Sequence, residues 1–164
     1  MICLRGDKRL RLKSSVVSSC SETVDKLRVA SFTLGLRAVC APELGISERI
    51  LLLNSWYDGT NSAGKITVLC DPIIESSCGE ETLQESCPCI TENRTVTSRS
   101  YEIEVVFYDE NMIARRRRFR GLKSRDIQHA LDHFMGVLLS DRWSRTDQRA
   151  KPPLYGYRYE DNSR

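Results

Sequence analysis

Hydrophobic and polar residues alternate most clearly from Tyr101 to Tyr108. Tyr101, Ile103, Val105 and Phe107 face one way, and Glu102, Glu104, Val106 and Tyr108 the other. The pattern predicts a strand with one buried face. Asp109-Glu110-Asn111 can turn the chain, and Met112 to Arg120 can return as the partner strand of a hairpin. Ser124 then reads as the cap of a helix in which Ile127, Leu131, Phe134 and Leu138 share one face. Upstream, a helix is predicted from Ser21 to Thr33, capped by Ser21 or Thr23, before the Gly-containing stretch Leu34 to Cys40. Short strands follow at Ile50 to Leu53 and Lys65 to Leu69, with Ser55 to Gly64 an exposed loop between them. Strands first and a principal helix later, without regular alternation of the two, predict an α+β fold with a largely antiparallel sheet.

The 164 residues suit one domain, and 40% apolar against 29% charged is the balance of a globular chain. No apolar run approaches the roughly 20 residues a membrane-spanning helix needs. A net charge of +3 does not by itself imply a nucleic-acid partner. Seven cysteines, an odd number with Cys87 and Cys89 nearly adjacent, fit a reducing compartment better than a secreted disulfide framework. Residues 1–20 are basic and Ser-rich, a composition shared with organellar transit peptides, although Leu10 and Leu12 suit a first strand equally well. Residues 145–164 include two prolines and three tyrosines between Lys151 and Arg164 and are expected to be extended or disordered.

Chemistry concentrates at two places. His129 and His133 are four apart on the predicted helix, so both imidazoles leave one face about a turn apart. Two structural histidines would show the same spacing. These are, however, the only two histidines in the chain, and the thiol-bearing run Glu85-Ser86-Cys87-Pro88-Cys89 lies about forty residues upstream, which favours a Cys-His-His metal site. A redox or persulfide centre at Cys40, Cys87 and Cys89 is a further reading of the same thiols.

Three ordered segments, Gly35-Leu36-Arg37-Ala38-Val39-Cys40, Glu85-Ser86-Cys87-Pro88-Cys89 and Gln128-His129-Ala130-Leu131-Asp132-His133, resemble the patterns G-L-x-A-x-Q, E-G-C-L-S and Q-H-E-x-D-H of the peptide deformylases. The likeness runs from about residue 7 to 144 and includes Asp71-Pro72, Arg94 and Arg99. It implies the deformylase fold, one divalent transition metal (zinc or iron) held by Cys87, His129 and His133, and peptide contacts near Gly35, Leu36, Glu85, Arg94, Arg125 and Asp126. It also implies an organellar, mitochondrial address or otherwise a cytoplasmic one. A monomer is expected, with a nascent peptide or the ribosome as partner.

The resemblance breaks where the family does its chemistry. Ala130 stands where the family has the Glu that moves the proton, a group worth a factor of about 10²–10⁴. Cys40 stands in place of the Gln that donates to the oxyanion, and Pro88 has no backbone N–H for the second donor. Arg125 and Asp126 put charge where the family's apolar pocket lies, and Arg37 crowds the peptide edge. The expectation is a metal-binding deformylase homologue with little or no turnover, against the alternative of an active deformylase that recruits Glu85 or Asp132 as base. Cys40 is also a candidate fourth ligand. The run Arg115-Arg116-Arg117-Arg118 could dock on ribosomal RNA, or could pair with Glu102 and Glu104 across the hairpin.

Overall fold

Residues 1–57 and 65–142 are described by the computed structural model. The predicted tail, most of the loop before residue 65 and the side chain of Arg94 lie outside the described part.

Seven strands form two antiparallel sheets. β1 (Ala38–Cys40), β2 (Ile50–Asn54), β3 (Ile66–Cys78), β6 (Glu102–Tyr108) and β7 (Ala114–Arg120) make a five-stranded sheet in the order β1-β2-β3-β6-β7. β4 (Glu81–Cys87) and β5 (Ile90–Arg99) make a separate hairpin. Helix α1 (Ser21–Leu34) packs against β1 and β2, and α2 (Gly121–Phe134) reaches β7, β6, β1 and β2. No helix among the described residues is long and apolar enough to cross a membrane.

Side-chain period explains the layers. The run Ile50-Leu51-Leu52-Leu53 is buried on both faces of β2. Leu51 and Leu53 join the core beneath α2 with Ile103, Val105 and Phe134, while Ile50 and Leu52 join the core beneath α1 with Leu27 and Leu36. β6 follows its alternation, with Ile103, Val105 and Phe107 inward. Tyr101, expected on that face, precedes the strand and is exposed. β7 returns in register with Glu102 opposite Arg120 and Glu104 opposite Arg118, and both arginines bond those glutamates.

Several expected boundaries move, each for a physical reason. Gly121 takes a left-handed φ of 55°, so β7 passes straight into α2 and the helix begins before Ser124. Ser124 is buried and its hydroxyl donates to the Ser100 carbonyl at 2.8 Å instead of capping. Cys20 holds the cap position of α1 without a side-chain bond, and Thr23 is buried inside the first turn. β3 continues through Asp71-Pro72 to Cys78 because a register shift between Cys70 and Ile73 accommodates the proline. Residues 1–20 form no named strand: a tight turn at Lys8–Arg11 is capped by Asp7, Leu10 is fully buried and Leu12 is exposed.

Candidate metal centre

β4 and α2 supply the site by complementary periods. Glu85 and Cys87 lie two residues apart and are both buried on β4, while Ser86 between them is exposed. His129 and His133 lie one turn apart on α2. The structure brings Cys87, His129 and His133 together. Cys87 Sγ is 3.4 Å from His133 Nε2, which is 3.2 Å from His129 Nε2. Behind them, His129 Nδ1 meets Glu85 Oε2 at 3.3 Å, a contact in which Nδ1–H donates to the carboxylate and Nε2 is turned to the cluster.

Electrostatics reinforce this arrangement. The Cys87 thiol is held far below its ordinary value, chiefly by the hydrogen bond from Cys89 and then by those from His129 and His133, against the effect of burial. Burial opposes charge on His129, but its bonds to Cys87 and Glu85 outweigh that and raise it well above the usual imidazole range. As donors to the Cys87 sulfur the imidazoles carry protons; with those protons released, one sulfur and two ring nitrogens can act as electron-pair donors in this buried space. Bonds of about 2.0–2.3 Å to one ion would separate such donors by roughly 3.3–3.8 Å, so the observed spacings fit an ion with little adjustment.

Glu85 is held in a network. Arg99 grips it with two bonds of 2.7 and 2.8 Å, and Arg125 Nη1 adds a third at 2.7 Å. Arg99 also donates to Asp132 at 2.9 Å, and Arg142 completes that carboxylate. Neither Glu85 nor Asp132 is therefore free to act as the substitute base weighed from the sequence. Burial would raise the Glu85 carboxyl, but the bonds from Arg99 and His129 hold it well below the usual range.

The other expected site residues have mixed fates. Ala130, only 2% exposed, packs in the core beneath α2. Pro88 and Cys89 are the two-residue turn between β4 and β5, where Cys87 pairs with Ile90. Arg125 is buried and also donates to the Thr97 carbonyl and hydroxyl, whereas Asp126 takes two bonds from Arg37 at 2.6 and 2.7 Å. Arg37 thus turns to Asp126. Gly35 ends α1 with a φ of 63°, and Leu36 is buried in the α1-side core.

Cys40 requires a correction. Its side chain packs in the core beneath α2, and burial followed by the Glu43 charge pushes its thiol well up. The residue of this stretch that reaches the metal ligands is Glu43. Residues Ala41–Leu44 form a tight turn ended by Gly45 at φ 76°, where a Cβ would stand 2.6 Å from the Arg9 side chain. Glu43 Oε2 accepts the Cys40 N–H at 2.7 Å, and Oε1 lies 3.9 Å from Cys87 Sγ and 4.0 Å from His133 Nε2. Glu43, Cys87, Cys89 and His133 form an overlapping group of buried donors with all ligand atoms within 4.8 Å of one another. Glu43 was missed because the motif was read only as far as Cys40. The signal was present: a residue that starts a turn, a proline, and a glutamate three places on is a capping pattern.

Comparisons with known proteins agree with this picture. The family model for polypeptide deformylase matches residues 1–149. A peptide deformylase of Synechococcus sp. (strain CC9605) is 34% identical over 143 residues, spanning 84% of this chain and 70% of that protein. One from Pelodictyon phaeoclathratiforme is 28% identical over 153 residues, spanning 90% and 81%. Among solved structures, a peptide deformylase from Synechococcus elongatus in complex with actinonin matches with a TM-score of 0.80 and 29% identity, over 88% of this chain and 80% of that one. A probable peptide deformylase from Synechococcus phage S-SSM7 has the same fold, with a TM-score of 0.80 at 24% identity over 87% and 99%. By sequence and fold together, this chain belongs to the polypeptide deformylase family.

Proposed function

We propose that the chain is a metal-dependent amide hydrolase of the deformylase type, acting on the formylated N-termini of peptides. The convergence of Cys87, His129 and His133, with Glu85 orienting His129, carries this reading. Mixed thiolate and imidazole donors suit zinc or iron. A bound ion would polarise a carbonyl oxygen and acidify water. The chain's own residues would hold it, fix the His129 tautomer through Glu85, and keep bulk water away with the buried turn at Pro88 and Cys89. The substrate class follows from membership of the polypeptide deformylase family.

Turnover is expected to be slow, because Ala130 carries no proton and Pro88 offers no N–H. Ala130 also favours a second reading, a family member that binds metal and peptide without cleaving. Formate release from a formyl-Met peptide by zinc-, iron- and cobalt-loaded protein decides between them. Slow turnover that a chelator abolishes supports hydrolysis. No release above the metal-free control, with one ion bound per chain, supports the second reading.

A further inference from the structure

Glu43 is 3% exposed, and the proposed function gives it no role. Its Oε2 is fixed by the Cys40 N–H, which aims Oε1 at Cys87 and His133. A sulfur and a carboxylate oxygen thus face one another across 3.9 Å inside the protein. Arg99 and Arg125 spend their bonds on Glu85, behind His129, while Glu43 Oε1 points to the sulfur and ring nitrogen of the cluster. A divalent cation between Cys87, Glu43, His129 and His133 would be neutralised by the thiolate and the carboxylate, with both imidazoles neutral.

We propose that Glu43 is a ligand, its Oε1 closing the fourth position of the metal held by Cys87, His129 and His133. The proposal rests on the metal reading above and deepens it. The distances of 3.9 Å to sulfur and 4.0 Å to nitrogen exceed tetrahedral ligand spacings by roughly 0.3 and 0.6 Å, a shift within the reach of a glutamate side chain. Cys89 is the competing donor. It is fully buried in the β4–β5 turn and belongs to the same group of close donor atoms, so its part is decided by the Cys89→Ser variant below. The N-terminal segment buttresses both turns: Cys3 N–H donates to the Glu43 carbonyl and Arg5 N–H to the Cys89 carbonyl, each at 2.7 Å.

With four protein donors the resting ion resembles a closed structural site. Water enters only if Glu43 lets go or the ion accepts a fifth ligand. The site therefore restricts its own turnover, separately from the loss of a proton carrier at Ala130.

Cobalt-loaded full-length protein tests this without reference to activity. Glu43→Gln preserves the size of the side chain and an acceptor for the Cys40 N–H, so the turn should survive, and Glu43→Asp keeps the charge while shortening the reach. In wild type, added azide should leave the visible cobalt spectrum unchanged because no position is open. In Glu43→Gln, cobalt should remain at one per chain and bind about tenfold or more weakly, and azide should shift the spectrum by taking the vacated position. Glu43→Asp should behave like Glu43→Gln. If azide shifts the wild-type spectrum as it does that of Glu43→Gln, Glu43 only hydrogen-bonds a metal-bound water and the proposal is overturned. It is equally overturned if Cys89→Ser, not Glu43→Gln, opens the position and weakens the sulfur-to-cobalt absorption. A wild-type protein that binds no cobalt removes the metal reading itself, an outcome distinct from either.

Discussion

The two sides of the histidine pair differ sharply. On the β4–β5 side, every charge near His129 is matched: Glu85 receives two bonds from Arg99 and one from Arg125, and Asp132 receives Arg99 and Arg142. On the opposite side, Glu43 faces the Cys87 sulfur at 3.9 Å with one backbone N–H as its short partner in this geometry. The matched side works as a brace that sets the positions of β4 and α2. On the other side burial and then the Cys87 charge push the Glu43 carboxyl up, a penalty that a cation placed there would relieve.

That contrast can be broken from either side. The largest effect is expected from Glu85→Ala, which leaves Arg99 and Arg125 buried without their shared carboxylate. Loss of one partner from such a network costs about 3–5 kcal/mol. Urea unfolding should show this together with a drop in metal affinity of about 10–100-fold, since His129 loses its orienting partner. A variant as stable as wild type would mean that the brace contributes nothing. Ala130→Glu tests the other side. It places a carboxylate in the core beneath α2, and a destabilisation of about 1–3 kcal/mol is expected. Formate release should rise by less than the factor of about 10²–10⁴ that a positioned base is worth. Recovery to the rate of an ordinary deformylase would show that the missing glutamate was the only defect.

Smaller effects lie further from the ion. Arg37→Ala removes the two bonds to half-buried Asp126 and should lower stability by about 1–3 kcal/mol with metal content unchanged. Metal loss in this variant would tie that pair to the centre. Arg118→Ala breaks an exposed cross-strand pair with Glu104 and should shift stability by no more than about 0.5 kcal/mol. A large change in melting temperature there would make the arginine row of β7 structural, contrary to its solvated setting.

Legibility followed periodicity. The β6–β7 hairpin and the His129–His133 pair could be read because alternation and one-turn spacing are local properties of the chain. The continuation of β3 past Pro72 could not, since a bulge set by the neighbouring strand overrides what Asp-Pro signals by itself. From the sequence Glu85 reads as a motif residue, a peptide contact and a candidate base, not as the partner of Arg99, Arg125 and His129. Its partnership with Arg125 needs β4 and α2 side by side, 40 residues apart in sequence. Cys40 is the conspicuous fourth candidate in the sequence because it is a thiol near a motif, whereas Glu43 is ordinary until the turn is seen to point it toward Cys87 and His133. The pairing of Arg118 and Arg120 with Glu104 and Glu102 followed directly from hairpin register.

Metal content measured on the same sample as ligand identity tests the central claim most directly. Elemental analysis of purified wild-type protein should give about one zinc or iron per chain, falling close to zero in the Cys87→Ala, His129→Ala double variant while circular dichroism shows the fold retained. One ion per chain persisting in that double variant, or a folded wild-type protein that takes up no metal when supplied with it, would contradict the account.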